Sequence, residues 1–134
     1  MRQGEFHGIK ILLLSNLGRT GQNHLLDRTN NLRADIVISG IPTQTEPLCE
    51  TLLDAIRPRM IIIADSESPA TARASERLKE RLARRNVAVI YTRKAGAVTI
   101  SSRPKGCEIT TADNQHFNLA DLPQMTLMPP LAGP

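Results

Sequence analysis

PLCETLLDAIRPRMIIIAD, residues 47–65, decides the fold class. Pro47 suits the first turn of a helix, where a backbone N–H would have no intrahelical partner anyway. Leu48, Leu52 and Ile56 then fall on one helical stripe, and Pro58 marks its end. Met60–Ala64 (MIIIA) follows at once as a continuous apolar run of strand length, the pattern of a strand covered on both faces. A helix that feeds directly into such a strand belongs to an α/β domain with a parallel sheet.

Working outward, Gly8–Leu14 (GIKILLL) predicts a first core strand, ended by Ser15, Asn16 and Gly18. Gly21–Arg33 predicts a weakly patterned helix through Leu25, Leu26 and Leu32. Ala34–Ser39 (ADIVIS) predicts a second strand, broken by Gly40-Ile41-Pro42. On the other side, Ser68-Pro69 reads as N-cap and first residue of a third helix running to about Arg85, with Ala74, Leu78 and Leu82 toward the core. Val87–Thr92 returns as a strand. Ala97–Ser101 and Cys107–Thr111 then alternate about Arg103-Pro104-Lys105-Gly106, a hairpin signal. The expected order is β-α-β-α-β-α-β followed by an antiparallel hairpin over residues 1–111. Residues 112–134, polar and then proline-rich, read as an extended tail.

The 134 residues suit one domain, with 40% hydrophobic and 22% charged residues. No apolar run approaches the roughly 18–20 residues a membrane-crossing helix needs, and the first ten residues carry no signal-peptide pattern, so a soluble domain is expected. Cys49 and Cys107 lie far apart, outside any zinc-type spacing, and read as plain buried thiols. A net charge of +4 permits contact with nucleic acid. Phe6, Tyr91 and Phe117 are the only aromatic residues, too few for a base-stacking platform, so such contact would be electrostatic.

Candidate chemistry is sparse. The loop Asn16–Gly21 leaves a strand and enters a helix, where backbone N–H groups can hold phosphate, but it lacks both GxGxxG and the P-loop lysine. It serves equally as a plain turn. His7, His24 and His116 are scattered and form no metal-ligand pattern. Asp65-Ser66-Glu67 follows the third core strand, at the strand edge where α/β sheets place function, and reads equally as a solvated loop before a helix. Arg73, Arg77, Arg81 and Arg85 repeat at i, i+4 as a basic stripe that could meet DNA phosphates. Glu76 and Glu80 interleave with it, so the same pattern describes a salt-laced exposed face.

With these elements in order, the chain resembles the C-terminal half of the metallo-β-lactamase-like domain of ComEC-type competence proteins, which internalise DNA. The resemblance spans about residues 8–111. It is carried by ILLLSNLG (11–18), RADIVISGIPTQT (33–45), LLDAIRPRMIIIAD (52–65), Ser68-Pro69 and VAVIYTRKAGAVTIS (87–101). DAIRPR and YTRKAGAVTI are its most specific phrases. It implies half of an αββα sandwich and a parent protein at the inner membrane. Where the family's first strand ends in Gly-Asp, this chain has Ser15-Asn16, and an amide cannot bridge two cations as a carboxylate does. Ile41-Pro42-Thr43-Gln44 stands for the family's His-His-Gly-Ser, and Ser68-Pro69 for its His-Pro. With Asp65, these positions form a vestigial site, and the resemblance implies no catalytic residue, metal or cofactor. The family's HxHxDH motif lies in the preceding half. A lone half would expose an apolar sheet face and an unpaired edge, which predicts a missing N-terminal half-domain, a parent membrane protein or a homo-oligomer as partner.

The expected function is a non-catalytic module, structural or DNA-contacting. Two other readings stand beside it: a metal-dependent phosphodiesterase or nuclease using Asn16, Thr43, Gln44, Asp65 and Glu67 with a missing half, and a regulatory domain binding a small molecule at Asn16–Gly21.

Overall fold

The computed structural model describes residues 2–28, 31–42, 45–66, 68–123 and 125. The stretch 47–65 folds into a helix, α2 (Glu50–Ile56), followed by a strand, β4 (Met60–Ala64), but Pro47 and Leu48 precede the helix, Leu48 with φ 56°, rather than forming its first turn. Around it run β1 (Arg2–Phe6), β2 (Ile9–Ser15), α1 (Arg19–Arg28), β3 (Ile36–Gly40), α3 (Glu76–Ala83) and β5 (Ala88–Tyr91). The short helix α4 (Thr92–Ala95) and the strands β6 (Val98–Arg103), β7 (Gly106–Thr111) and β8 (His116–Asn118) complete the order. The fold is α/β. A five-stranded sheet β1-β2-β3-β4-β5 is parallel from β2 to β5 and antiparallel at β1, and a separate sheet β6-β7-β8 is antiparallel throughout.

The apolar runs of β3 and β4 have a direct cause. Val37, Ile61 and Ile63 pack with Leu12 and Leu14 against Leu25, Leu52, Ile56, Leu78 and Leu82 of the three longer helices. Ile36, Met60, Ile62 and Ile90, on the opposite face, pack against Cys107, Ile109 and Leu119. Both faces are covered, so neither strand has a polar side. The layers therefore run helices, central sheet, antiparallel sheet. This corrects the expectation of an exposed apolar face: the chain's own meander covers it. Among the described residues, the exposed large hydrophobic side chains are Phe6 at 56% and Leu13 at 38%.

Other expectations move at their ends. β1 was not foreseen, because RQGEF shows no apolar alternation. It pairs with β2 through a two-residue turn, His7-Gly8, in which both residues take positive φ, 51° and 80°, the geometry that matches hairpin twist. α1 begins at Arg19 and ends at Arg28, so Leu32 is buried from a connecting segment rather than from a helix. α2 starts at Glu50, after Cys49 as N-cap, and closes on Arg57 in the left-handed conformation. Ser68-Pro69 does not start the third helix. A 3-10 turn, Ala70–Ala72, comes first, and Ser75 caps α3 by accepting from the Leu78 N–H at 3.0 Å.

The hairpin at residues 103–106 forms, with Arg103 opposite Gly106. The extended tail does not begin at 112. β8 pairs with β7, Leu119 is 3% exposed and Met125 6% exposed, so the folded unit reaches at least residue 125. Met125 joins the helix-side core while Leu119 and Leu122 lie on the meander side, so this segment ties the two cores together. Among the described residues, no helix is long and apolar enough to cross a membrane.

Candidate functional site

The parallel strands end together, so the residues following β2, β3 and β4 meet at one edge. Ser15, the last residue of β2, sits at φ 54°, where the β2–β3 register shifts between Leu13 and Ser15. This turns Asn16 across the end of β3. The Asn16 carboxamide oxygen occupies the space a Cβ at position 40 would take, so glycine there lets the amide lie over the end of β3. Ile41 is half-buried against the helix-side core, and Pro42 is buried. The fold therefore brings Ser15, Asn16, Ile41 and Pro42 together. Thr43, Gln44 and Glu67 lie outside the described residues.

Asp65 follows β4 and is 6% exposed. One carboxylate oxygen accepts from the Arg93 N–H at 2.9 Å and the other from the Ala74 N–H at 3.3 Å. Its carbonyl accepts from the Thr92 hydroxyl at 3.0 Å. Asp65 thus braces the start of α4 and the loop before α3. Its charge also acts on Tyr91, whose pKa is pushed up to about 12 by burial first, then by Asp65 and Glu76. Ser68 is exposed. Among the described residues, no three His, Cys, Asp or Glu side chains are placed to hold a metal ion. His7, His24 and His116 fall in the β1–β2 turn, α1 and β8. Cys49 and Cys107 are buried free thiols, and burial followed by the charge of Asp35 raises the pKa of Cys107.

The basic stripe is corrected. Arg73 precedes α3 and does not share its ladder. Arg81 spans from α3 to the start of α2, donating to Glu46 Oε1 (3.0 Å), Glu50 Oε1 (2.6 Å) and the carbonyls of Leu48 and Pro47 (both 3.0 Å). Arg85 is 2% exposed and donates to Glu50 Oε2 (2.5 Å), Asp54 Oδ1 (2.6 Å) and the Glu50 carbonyl (3.3 Å). Neither guanidinium is presented to DNA, because acids on or before α2 already hold both. Burial raises the pKa of Glu50, but the bonds from Arg85 and Arg81 outweigh it and hold the carboxyl below its ordinary value. Arg77 stays outside this clasp, its side chain 81% exposed and 3.2 Å from Glu46 Oε2.

Gln22 is a residue that the sequence reading passed over. It is fully buried, donating to the carbonyls of Leu17 (3.0 Å) and Glu46 (3.1 Å) and accepting from the Cys49 N–H (2.6 Å). Its position three before Leu25 and four before Leu26, on the apolar stripe of α1, is the signal that marks it as a core polar group. Its bonds fix the segment 45–49 beside the α1 entry.

Two adjoining depressions result, sharing Arg19 and Thr45. One, about 580 Å³ and open, is lined by Asn16, Gly18, Thr20, Gly21 and Pro42 besides those two. The other, about 270 Å³, continues to Glu46, Cys49, Glu50, Thr51, Arg77 and Arg81. The Thr45 hydroxyl accepts from the Arg19 N–H at 3.2 Å and so joins the two walls. No protein-family model, curated protein or solved structure matches the chain.

Proposed function

We propose that the chain is a non-catalytic module of the metallo-β-lactamase-like type that ends ComEC-type DNA-uptake proteins, and that it meets DNA through the phosphate backbone along the rim of Arg19, Thr45 and Arg77. The observation that carries the reading is how the polar groups at the strand ends are used. Both carboxylate oxygens of Asp65 accept backbone N–H groups, and the Asn16 amide lies against Gly40. The Asp65 carboxylate is thus engaged in holding the loop before α3 and the start of α4.

The rim offers guanidinium and hydroxyl groups, and none of Phe6, Tyr91 and Phe117 lines it. Contact there is with phosphate rather than with bases, hence independent of sequence. Two arginines on a phosphodiester give a log affinity that falls with log salt at a slope of about −2.

Fluorescence anisotropy with a duplex oligonucleotide tests this. Binding at low salt with that slope, reduced by about one unit in Arg19→Ala and in Arg77→Ala, is the expected result. Absence of binding at low salt refutes the contact, and metal-dependent cleavage lost in Asp65→Ala refutes the non-catalytic role.

A further inference from the structure

Glu46 lies on the wall of a depression that also carries Arg19, Arg77, Arg81 and a second acid, Glu50. Its two carboxylate oxygens are divided between two cations, Oε2 at 3.2 Å from Arg77 and Oε1 at 3.0 Å from Arg81. Arg81 does not depend on this bond, since Glu50 and the carbonyls of Leu48 and Pro47 hold the same guanidinium. Arg77 differs, because its exposed guanidinium reaches back from solvent to Glu46. A phosphate approaching Arg77 therefore meets a carboxylate already in the position it would take.

We infer that Glu46 is a built-in competitor for phosphate, an intramolecular contact that holds Arg77 back and limits how tightly the rim takes a polyanion. The inference rests on the reading of the rim as a phosphate-contacting surface. Glu46 is suited to the role by its neighbours. Its backbone carbonyl is fixed by Gln22, so the side chain is delivered to one place, while no part of the α2–α3 clasp between Arg85, Glu50 and Asp54 passes through it. Removing one unit charge at ~5 Å from a phosphate in a water-like dielectric is worth about fourfold in affinity.

The experiment compares the full chain with Glu46→Gln, Glu80→Gln and Glu46→Gln/Arg77→Ala on the same duplex oligonucleotide, by anisotropy from low to moderate salt. Glu80→Gln makes the same change in net charge on the exposed surface of α3. Thermal unfolding of each variant accompanies the titrations, and Glu46→Gln is expected to unfold within a few degrees of the parent. The inference predicts about fourfold tighter binding for Glu46→Gln, little change for Glu80→Gln, and loss of the gain in the double variant. It is overturned if Glu46→Gln binds like the parent or gains no more than Glu80→Gln, or if the gain survives removal of Arg77. Binding by the parent with no response to Glu46→Gln sinks this inference and leaves the proposed function standing. No binding by any of the proteins at low salt sinks both. Binding by Glu46→Gln alone supports the competitor and overturns the proposed contact of the parent chain with DNA.

Discussion

Replacing Arg85 by alanine cuts the clasp between α2 and α3. The guanidinium is 2% exposed and holds the Glu50 and Asp54 carboxylates together with the Glu50 carbonyl. Its loss leaves two acids facing each other with Arg81 alone to serve Glu50. Breaking a buried ion pair from one side costs about 3–5 kcal/mol, but Glu50 and Asp54 keep roughly a third of their side-chain surface in water, which lowers the cost. A loss of about 2–3 kcal/mol is expected, or about 10 °C in Tm for a domain of this size. Arg77→Ala, four residues earlier on the same helix, removes an exposed pair and is expected to cost under about 0.5 kcal/mol. Urea unfolding followed by circular dichroism measures both. If Arg85→Ala falls within about 0.5 kcal/mol of the parent, or the two variants cost the same, the division of the stripe into buried clasp and exposed rim is wrong.

Acid should weaken the same clasp. The folded pKa of Glu50 is lowered, so its contribution is whole above the ordinary glutamate value and is lost as pH falls through the lowered one; urea midpoints should drop across that acid range, less steeply in Glu50→Gln. Tyr91, the chain's single tyrosine, should ionise near pH 12 in an absorbance titration, and a midpoint near 10 would contradict its burial beside Asp65. Because that folded value is raised, stability should fall as pH rises from about 10 toward it. Gln22→Ala leaves two carbonyls and the Cys49 N–H without partners and should cost about 2–3 kcal/mol, with faster hydrogen exchange at Cys49 as a local sign. Ending the chain after residue 111 removes β8 and the buried Leu119 and Met125, which contribute about 1.5–3 kcal/mol each. The shortened chain should lose its cooperative unfolding transition, and a parent-like transition would restore the boundary at 111.

The sequence was most legible where periodicity and length agree. MIIIA and GIKILLL admit one reading, because a short continuous apolar run must be covered on both sides. It was least legible where a polar residue serves the interior. Gln22, Asp65 and Arg85 have the residue types of surface or site, and only the carbonyls, amides and acids that surround them show that they support the fold. Arg73, Arg77, Arg81 and Arg85 look equivalent in spacing, yet two are held by acids from about 30 positions away. That distance is invisible to a helical ladder. β8 was missed for a related reason: HFN is too short to signal a strand alone and becomes one only beside β7.

By itself, then, the sequence determined the α/β class, the order of the main strands and helices, and the hairpin at residues 103–106. Those features depend on local pattern: apolar spacing, proline and glycine at breaks, and alternation in the last strands. The tertiary structure decided which face each layer covers, where the folded unit ends, and which charges are left to meet a ligand. These depend on the alignment of strand ends distant in sequence, where burial makes each polar group find a partner and so removes it from, or keeps it at, the surface.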